Sequence, residues 1–419
     1  MNIGYACLTI GVLDTTMKKC LLKNANHDTL LSVIKNNLRS LENMLIYNSE
    51  NNIHMFRISS DLIPFGSDKK VNQIDWINHF ATELDNLKNL IKKNNIRISM
   101  HPGQYTVLNA QDKNIVDRAI ADLEYHSLVL SALGTDNSCK IILHIGGIYN
   151  DKEAAMNRFI DNFNTLSTDV KNRLVIENDD RSYNISDVLT ISQRTNIPVV
   201  YDNLHNELNP FDRTLSDEYW IKQCSTTWRK QDGKQKIHYS QKNQNKKQGS
   251  HSNTININEF LRFYKSIASI DLDIMLEVKD KNISAVKCIN SLYRPVSKKL
   301  FEKEWSRYKY VILSNSHNDY LKIRELLKDF KDEDALVFYD VIENNLNLSE
   351  DVGNQVNAAQ HIWGYFKEIS DIKERKKFFK LLDDYQNQLK PIKSIKNYLY
   401  KLTIKYDIKY LLTSHYFYL

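Results

Sequence analysis

Eight residues with metal-ligating or acid–base side chains recur at the ends of short apolar runs. His101 ends Ile96–His101 and opens His101-Pro102-Gly103-Gln104-Tyr105; His144 lies in Lys140–Ile145; Glu177 ends Leu-Val-Ile-Glu. Asp202 ends Pro198–Asp202 and is followed three residues on by His205; His238 lies in Lys236–Tyr239, His251 follows in its loop, and Glu277 sits in Asp273–Val278. A carboxylate in such apolar surroundings loses several kcal/mol of solvation unless a cation pairs with it or it is protonated. These runs hold too few Lys or Arg to balance Glu177, Asp202 and Glu277, whereas divalent ions completed by neutral imidazoles would do so. Nitrogen and oxygen donors without thiolate suit Mn2+, Zn2+ or Fe2+. Two or three such ions about 3.5–4 Å apart suit phosphoryl chemistry. The other histidines, His27, His54, His79, His126, His317 and His415, fall on helix faces or in loops and read as ordinary core or surface residues.

The elements that must position these residues alternate. The strand candidates are Ile3–Ile10, Met55–Ser59, Ile96–His101, Lys140–Ile145, Leu174–Glu177, Pro198–Asp202, Lys236–Tyr239 and Asp273–Val278. Between them lie amphipathic stretches at three- and four-residue spacing: Thr29–Tyr47, Trp76–Lys93, Ile115–Leu133, Glu153–Leu166, Ile257–Ile267 and Ser284–Leu292. This pattern predicts an α/β fold, a (β/α)8 TIM barrel over residues 1–295, with an open doubly wound sheet as the alternative. In a barrel the strand ends form one rim, so six consecutive strands deliver His, Glu or Asp to the same face. After Pro295 only helical patterns remain, which predicts a smaller all-α domain over residues 296–419.

Composition narrows the class. The 419 residues are 42% hydrophobic and 26% charged, which excludes wholesale disorder. The five cysteines are scattered without C-x-x-C spacing, so neither a disulfide framework nor a thiolate zinc site is expected. No signal-like N-terminus and no apolar run of roughly 18 residues is present, so a soluble, intracellular protein without a membrane partner is expected. The net charge of +6 is modest, but Lys373–Lys409 holds 11 Lys/Arg against 4 Asp/Glu. Arg229–Lys247 holds seven Lys/Arg against one Asp and is expected on the ligand-bearing rim, where it would suit a phosphate backbone. With only 11 glycines in the chain, Gly103, Gly146 and Gly147 stand beside proposed ligands, where close approach or positive φ would explain them.

Together these motifs resemble the UV damage endonuclease family, barrel repair enzymes related to endonuclease IV. The resemblance covers about residues 1–292 through Gly4-Tyr5, Phe56-Arg57-Ile58-Ser59-Ser60-Asp61, His101-Pro102-Gly103-Gln104-Tyr105, His144-Ile145-Gly146-Gly147, Glu177-Asn178-Asp179, Asp202-Asn203-Leu204-His205, Lys236-Ile237-His238-Tyr239-Ser240, His251-Ser252 and Glu277. It implies cleavage of the phosphodiester immediately 5′ to UV photoproducts or abasic sites in double-stranded DNA, leaving 3′-hydroxyl and 5′-phosphate, with Mn2+ as the usual metal. It further implies that Glu177 bridges two ions, one held with His101 and His144 and the other with Asp202, His238 and Glu277, while His205 and His251 hold a third. Glu177, Lys236 and His238 are the implied catalytic residues. Lys236 stands where the family has a carboxylated lysine; as an ammonium it has no lone pair for a metal, so it ligates only as the carbamate and is otherwise a counter-cation. Gln104 and Tyr105 match residues that probe the damaged bases, and Tyr5 is placed in the lesion pocket. In one departure, Pro64-Phe65-Gly66-Ser67 is followed by Asp68 where relatives carry His, so Asp68 either replaces a ligand or lowers activity.

The helical part resembles a YbgA-like domain through Trp305-Ser306-Arg307-Tyr308-Lys309-Tyr310, His361-Ile362-Trp363-Gly364-Tyr365-Phe366 and Pro391, which implies an accessory nucleic-acid-binding module. The expected protein is a monomeric metal-dependent DNA endonuclease that hands nicked DNA to downstream repair proteins. The alternatives are a metal-dependent sugar isomerase on the same barrel and a damage-binding protein whose cluster has decayed at Asp68.

Overall fold

The computed structural model describes residues 1–243, 246–247, 249–292 and 294–419. Eight parallel strands close into a barrel in sequence order: β1 Ile3–Ala6, β2 Met55–Ile58, β3 Arg97–Met100, β4 Ile141–His144, β5 Leu174–Glu177, β6 Val199–Asp202, β7 Gln235–Tyr239 and β8 Leu272–Leu276. β1 pairs with both β2 and β8, which closes the cylinder and excludes the open-sheet alternative. Most strands are shorter than their apolar runs. β1 stops at Ala6 because Cys7 takes φ 69, a left-handed conformation that cannot continue a strand. Gly4 is fixed by the closeness of β1 and β2, since a Cβ there would lie 2.2 Å from the Met55 carbonyl oxygen.

Because side chains alternate across a strand, residues two apart share a face, and the strand register stacks the barrel interior in layers. The middle layer is mainly apolar: Ala6, Met55 and Met275 form one cluster and Ile142, Val175 and Val200 another. Two residues further along the same faces lie Arg57, His144, Glu177, Asp202 and Glu277, with His144 directly opposite Glu177 and Asp202 opposite His238. Toward the N-terminal ends of the strands the interior is again charged, with Arg97 on Asp273 at 3.0 Å and Lys140 on Asp232 at 2.7 Å.

The helices between strands follow the expected order. The Trp76–Lys93 stretch divides at Phe80 into Trp76–His79 and Ala81–Lys93, and Ile185–Thr195 and Asp217–Ser225 are further helices with Ser- and Asn-based caps.

By its contacts the chain divides into Met1–Thr9 with Asp14–Val286, and Ile10–Leu13 with Lys287–Leu419. The second unit is helical, with Lys298–Asn315, His317–Leu326, Asp334–Leu346, Val352–Trp363, Ile372–Gln386, Ile392–Lys405 and Lys409–Leu412. Its core includes Val311, Ile362, Trp363, Phe366, Phe378 and Leu399, with Trp363 stacked on Phe378 at 4.4 Å.

Candidate metal centre

Glu177 lies at the centre of the C-terminal rim, 1% exposed. Its Oε1 is 2.8 Å from His238 Nδ1 and 3.5 Å from His205 Nδ1; its Oε2 is 3.4 Å from His101 Nε2 and 3.7 Å from His144 Nε2. Two groups of potential ligands therefore share it. His101, His144 and Glu177 form one and Glu177, Asp202 and His238 the other, each with ligand atoms within 4.8 Å of one another. Glu277, just beyond β8, has Oε1 3.3 Å from His238 Nδ1 and Oε2 3.8 Å from His251 Nε2.

Local hydrogen bonds aim these side chains. The Asp202 carboxylate accepts from the His205 amide at 2.8 Å, capping the Asn203–Leu208 helix and bringing His205 back over the rim. Asn178 ties β5 to β6 by donating to the Asp202 carbonyl at 3.0 Å and accepting from the Asp202 amide at 2.9 Å. His101 Nδ1 sits 3.0 Å from the Pro102 carbonyl, which leaves Nε2 facing Glu177. Ser60 donates to the His101 carbonyl at 3.0 Å and is itself 2.8 Å from Nε2 of the buried His126, a core histidine as its helical position implied.

The electrostatics show what the centre requires. Burial alone would raise Glu177, but His238 and His144 outweigh it and hold the carboxyl well below its usual range. Burial raises Asp202, with Glu177 and Glu277 adding to the effect. His101 falls to about 4, chiefly through burial. His205 is pushed up to about 11, because Asp202, Glu177 and Glu277 overcome its desolvation. Burial opposes the charge on Glu277, but Arg57 dominates and keeps it ionised. Arg57 donates to Glu277 Oε1 at 2.5 Å, a cation not expected from the strand-end pattern. Its signal was present, an Arg inside the apolar run Met-Phe-Arg-Ile.

Arg57 and the charged His205 still leave three buried carboxylates under-compensated. Glu177 Oε2, Asp202 Oδ2 and His238 Nε2 are also buried without a hydrogen-bond partner, an arrangement that costs about 1–3 kcal/mol per group unless something binds there. The donor set and its unsatisfied atoms fit divalent cations.

Other expected residues fall elsewhere. Lys236 is buried one layer below, donating to Ser99 at 2.6 Å. Burial, reinforced by Arg57 and Arg97, holds its pKa far below that of a free lysine. Tyr5 is 0% exposed, with its hydroxyl on Thr9 and Asn48 at 2.6 and 2.8 Å and its ring against Phe56, so the structure does not bring it to the rim. Asp68 is exposed, accepts from the Lys70 amide and joins neither ligand group. Gln104 and Tyr105 stand on the loop after β3, with Tyr105 83% exposed. Beside them runs a groove of about 790 Å³ whose lining includes Phe65, Arg118 and Tyr149.

The stretch Arg229–Lys247 is split by β7. Arg229, Lys230 and Lys234 precede that strand and so lie at the opposite end of the barrel, where Arg229 meets Asp232 and Lys234 meets Asp271. Lys242, bridged to His251, follows the strand; residues 244 and 245 lie outside the described residues. Gly146 has φ 113, and a Cβ there would meet Asn109 at 2.4 Å, as its place beside His144 implied. Gly103 is different: no atom lies within 4 Å of a Cβ there.

The fold and site define a closed parallel barrel with a buried His/carboxylate centre at the C-terminal ends of its strands that could hold a metal ion. Sequence comparison narrows the class: the model described as UV-endonuclease UvdE matches residues 2–301, and one described as a protein of unknown function (DUF1722) matches residues 309–419. A UV DNA damage endonuclease of Clostridium perfringens is 40% identical over 411 residues, 97% of each chain. One from Bacillus cereus is 33% identical over 69% of this chain and 90% of its own. The crystal structure of SacUVDE superposes with a TM-score of 0.65 at 37% identity, covering 73% of this chain and 99% of that one. The chain belongs to the UV-endonuclease UvdE family.

Proposed function

We propose that the chain is a metal-dependent UV DNA damage endonuclease, which hydrolyses the phosphodiester 5′ to UV photoproducts and abasic sites and leaves 3′-hydroxyl and 5′-phosphate. The observation that carries this reading is Glu177, shared by two ligand groups at the rim of a barrel of this family. His101, His144 and Glu177 would hold one ion and Glu177, Asp202 and His238 a second, with Glu277 beside His238; His205 and His251 are positioned to complete a third site. Mn2+, the usual metal of the family, is the ion we expect, and Zn2+ and Fe2+ are also compatible with these nitrogen and oxygen donors. When bound, such ions acidify water and stabilise charge on phosphoryl oxygens.

The chain's own residues supply the rest. Arg57 keeps Glu277 ionised and oriented, while Asn178 fixes Asp202 and His205. Burial holds Lys236 far below the ordinary lysine range, which favours the neutral amine that carbamate formation requires. Gln104 and Tyr105 would enter the duplex at a lesion, where poor stacking lowers the energy of extruding nucleotides.

Family membership leaves the sugar-isomerase alternative without support. Asp68 joins neither ligand group and so replaces no ligand, and it is the intact pair of groups sharing Glu177 that favours the catalytic reading over a damage-binding protein. Among the described residues no helix is long and apolar enough to cross a membrane, and we read the protein as a soluble, intracellular monomer acting on double-stranded DNA ahead of downstream repair proteins. The helical unit, residues 296–419 in this reading, serves as an accessory nucleic-acid-binding module.

The test is nicking of supercoiled plasmid with Mn2+. Irradiation-dependent nicking that Glu177→Gln abolishes is expected; nicking indifferent to irradiation, or retained in that variant, would overturn the reading.

A further inference from the structure

The motif Trp305–Tyr310 has no part in the chemistry of the barrel, and its neighbourhood has its own pattern. Lys309, on the Lys298–Asn315 helix, has its ammonium 5.0 Å from the centroid of the Tyr310 ring and 5.9 Å from that of Tyr410. Arg324, on the His317–Leu326 helix, lies 5.7 Å from the centroid of Tyr320. Tyr365 and Tyr410 stack at 5.9 Å with 12° between their planes, and the Tyr310 hydroxyl donates to that of Tyr365 at 3.1 Å. Two cations and four tyrosines thus converge from separate segments of the unit.

Two features of this cluster point to a ligand. Neither Lys309 nor Arg324 has a carboxylate partner among the described residues, and Lys309 is half-buried, so its charge is poorly solvated. Arg324 and burial both act against the Lys309 charge, and an anion would relieve them together. The second feature is the tyrosine stack, with Tyr365 and Tyr410 still 38% and 36% exposed. A flat ring pair of this kind accepts the face of any base, and a neighbouring cation pair accepts its phosphate. In a duplex the base faces are covered by their neighbours, so the platform suits an unpaired strand.

We propose that the helical unit carries a single-stranded nucleic-acid site in which Lys309 and Arg324 hold a backbone phosphate and the Tyr365–Tyr410 stack takes a base. The proposal rests on the accessory-module reading above and specifies where that module binds and in what form.

The full chain is titrated by fluorescence anisotropy into labelled (dT)12 and into a base-free sugar-phosphate oligomer of equal length, so that binding by the barrel is common to every comparison. The variants are K309Q/R324Q, Y365A/Y410A, Y365F/Y410F and, on the Ile372–Gln386 helix, K376Q/K377Q/K380Q, each checked for unchanged thermal unfolding. The charge variant should weaken both probes and lower the salt slope by about 0.7, one phosphate contact's worth on a single strand. The alanine pair should weaken (dT)12 about five- to tenfold and leave the base-free probe unchanged. The phenylalanine pair keeps the rings and should bind (dT)12 as the parent chain does. Unchanged (dT)12 affinity in either the charge or the alanine variant overturns the proposal. If only the Ile372–Gln386 variant loses affinity, the module binds elsewhere and this site alone falls; if no variant does, the accessory reading falls with it.

Discussion

Replacing Arg57 with Met removes the one guanidinium that faces Glu277 while keeping a side chain of similar length. Both partners are only 11% exposed, so the carboxylate would be left charged in a poorly solvated place. Breaking a buried pair from one side costs about 3–5 kcal/mol. The sign with pH follows from linkage. In the parent chain Arg57 depresses the Glu277 pKa, so the pair contributes stability above the unfolded carboxyl value of about 4.5, and that contribution fades as pH falls through the lower folded value. Without Arg57 the contribution is absent, so the deficit of the variant should be full at pH 7–8 and shrink below about pH 4.5. Urea titrations of the metal-free chain between pH 3 and 8, followed through the barrel transition, measure it. Added Mn2+ should recover part of the deficit, because a bound cation supplies the missing charge. A deficit under about 1 kcal/mol at pH 7, or one independent of pH, would refute the assigned role of Arg57.

Two glycines should behave in opposite ways. Gly4→Ala should destabilise the barrel by more than about 2 kcal/mol, measured by urea unfolding, because its Cβ meets the Met55 backbone, whereas Gly103→Ala should leave stability within about 0.5 kcal/mol. Tyr105→Ala should leave the melting temperature unchanged, since the ring is exposed, yet weaken binding to irradiated duplex by about 1–3 kcal/mol in a gel-shift assay.

The parts of the centre visible in the sequence were those on strand ends, because a polar residue closing an apolar run can only face the rim of a barrel. His101, His144, Glu177, Asp202, His238 and Glu277 were located in this way, and the structure brings them together. Arg57 was missed because its partner Glu277 lies 220 residues away, a pairing that only closure through β1 creates. The basic run Arg229–Lys247 misled because charge density along a chain carries no information about which end of a strand it occupies. Tyr5 illustrates the same limit: its position in β1 could be read, but the inward pull of Thr9 and Asn48 on its hydroxyl depends on the fold. The end of β1 at Cys7 was invisible for a related reason, because a left-handed non-glycine residue leaves no mark in composition.

The sharing of Glu177 between two ligand groups is the central claim, and the number of Mn2+ ions bound per chain tests it directly. Equilibrium dialysis with metal analysis should show Asp202→Asn losing one ion relative to the parent chain and Glu177→Gln losing two. Equal losses in the two variants, or a Glu177→Gln chain that binds as many ions as the parent, would contradict a shared carboxylate.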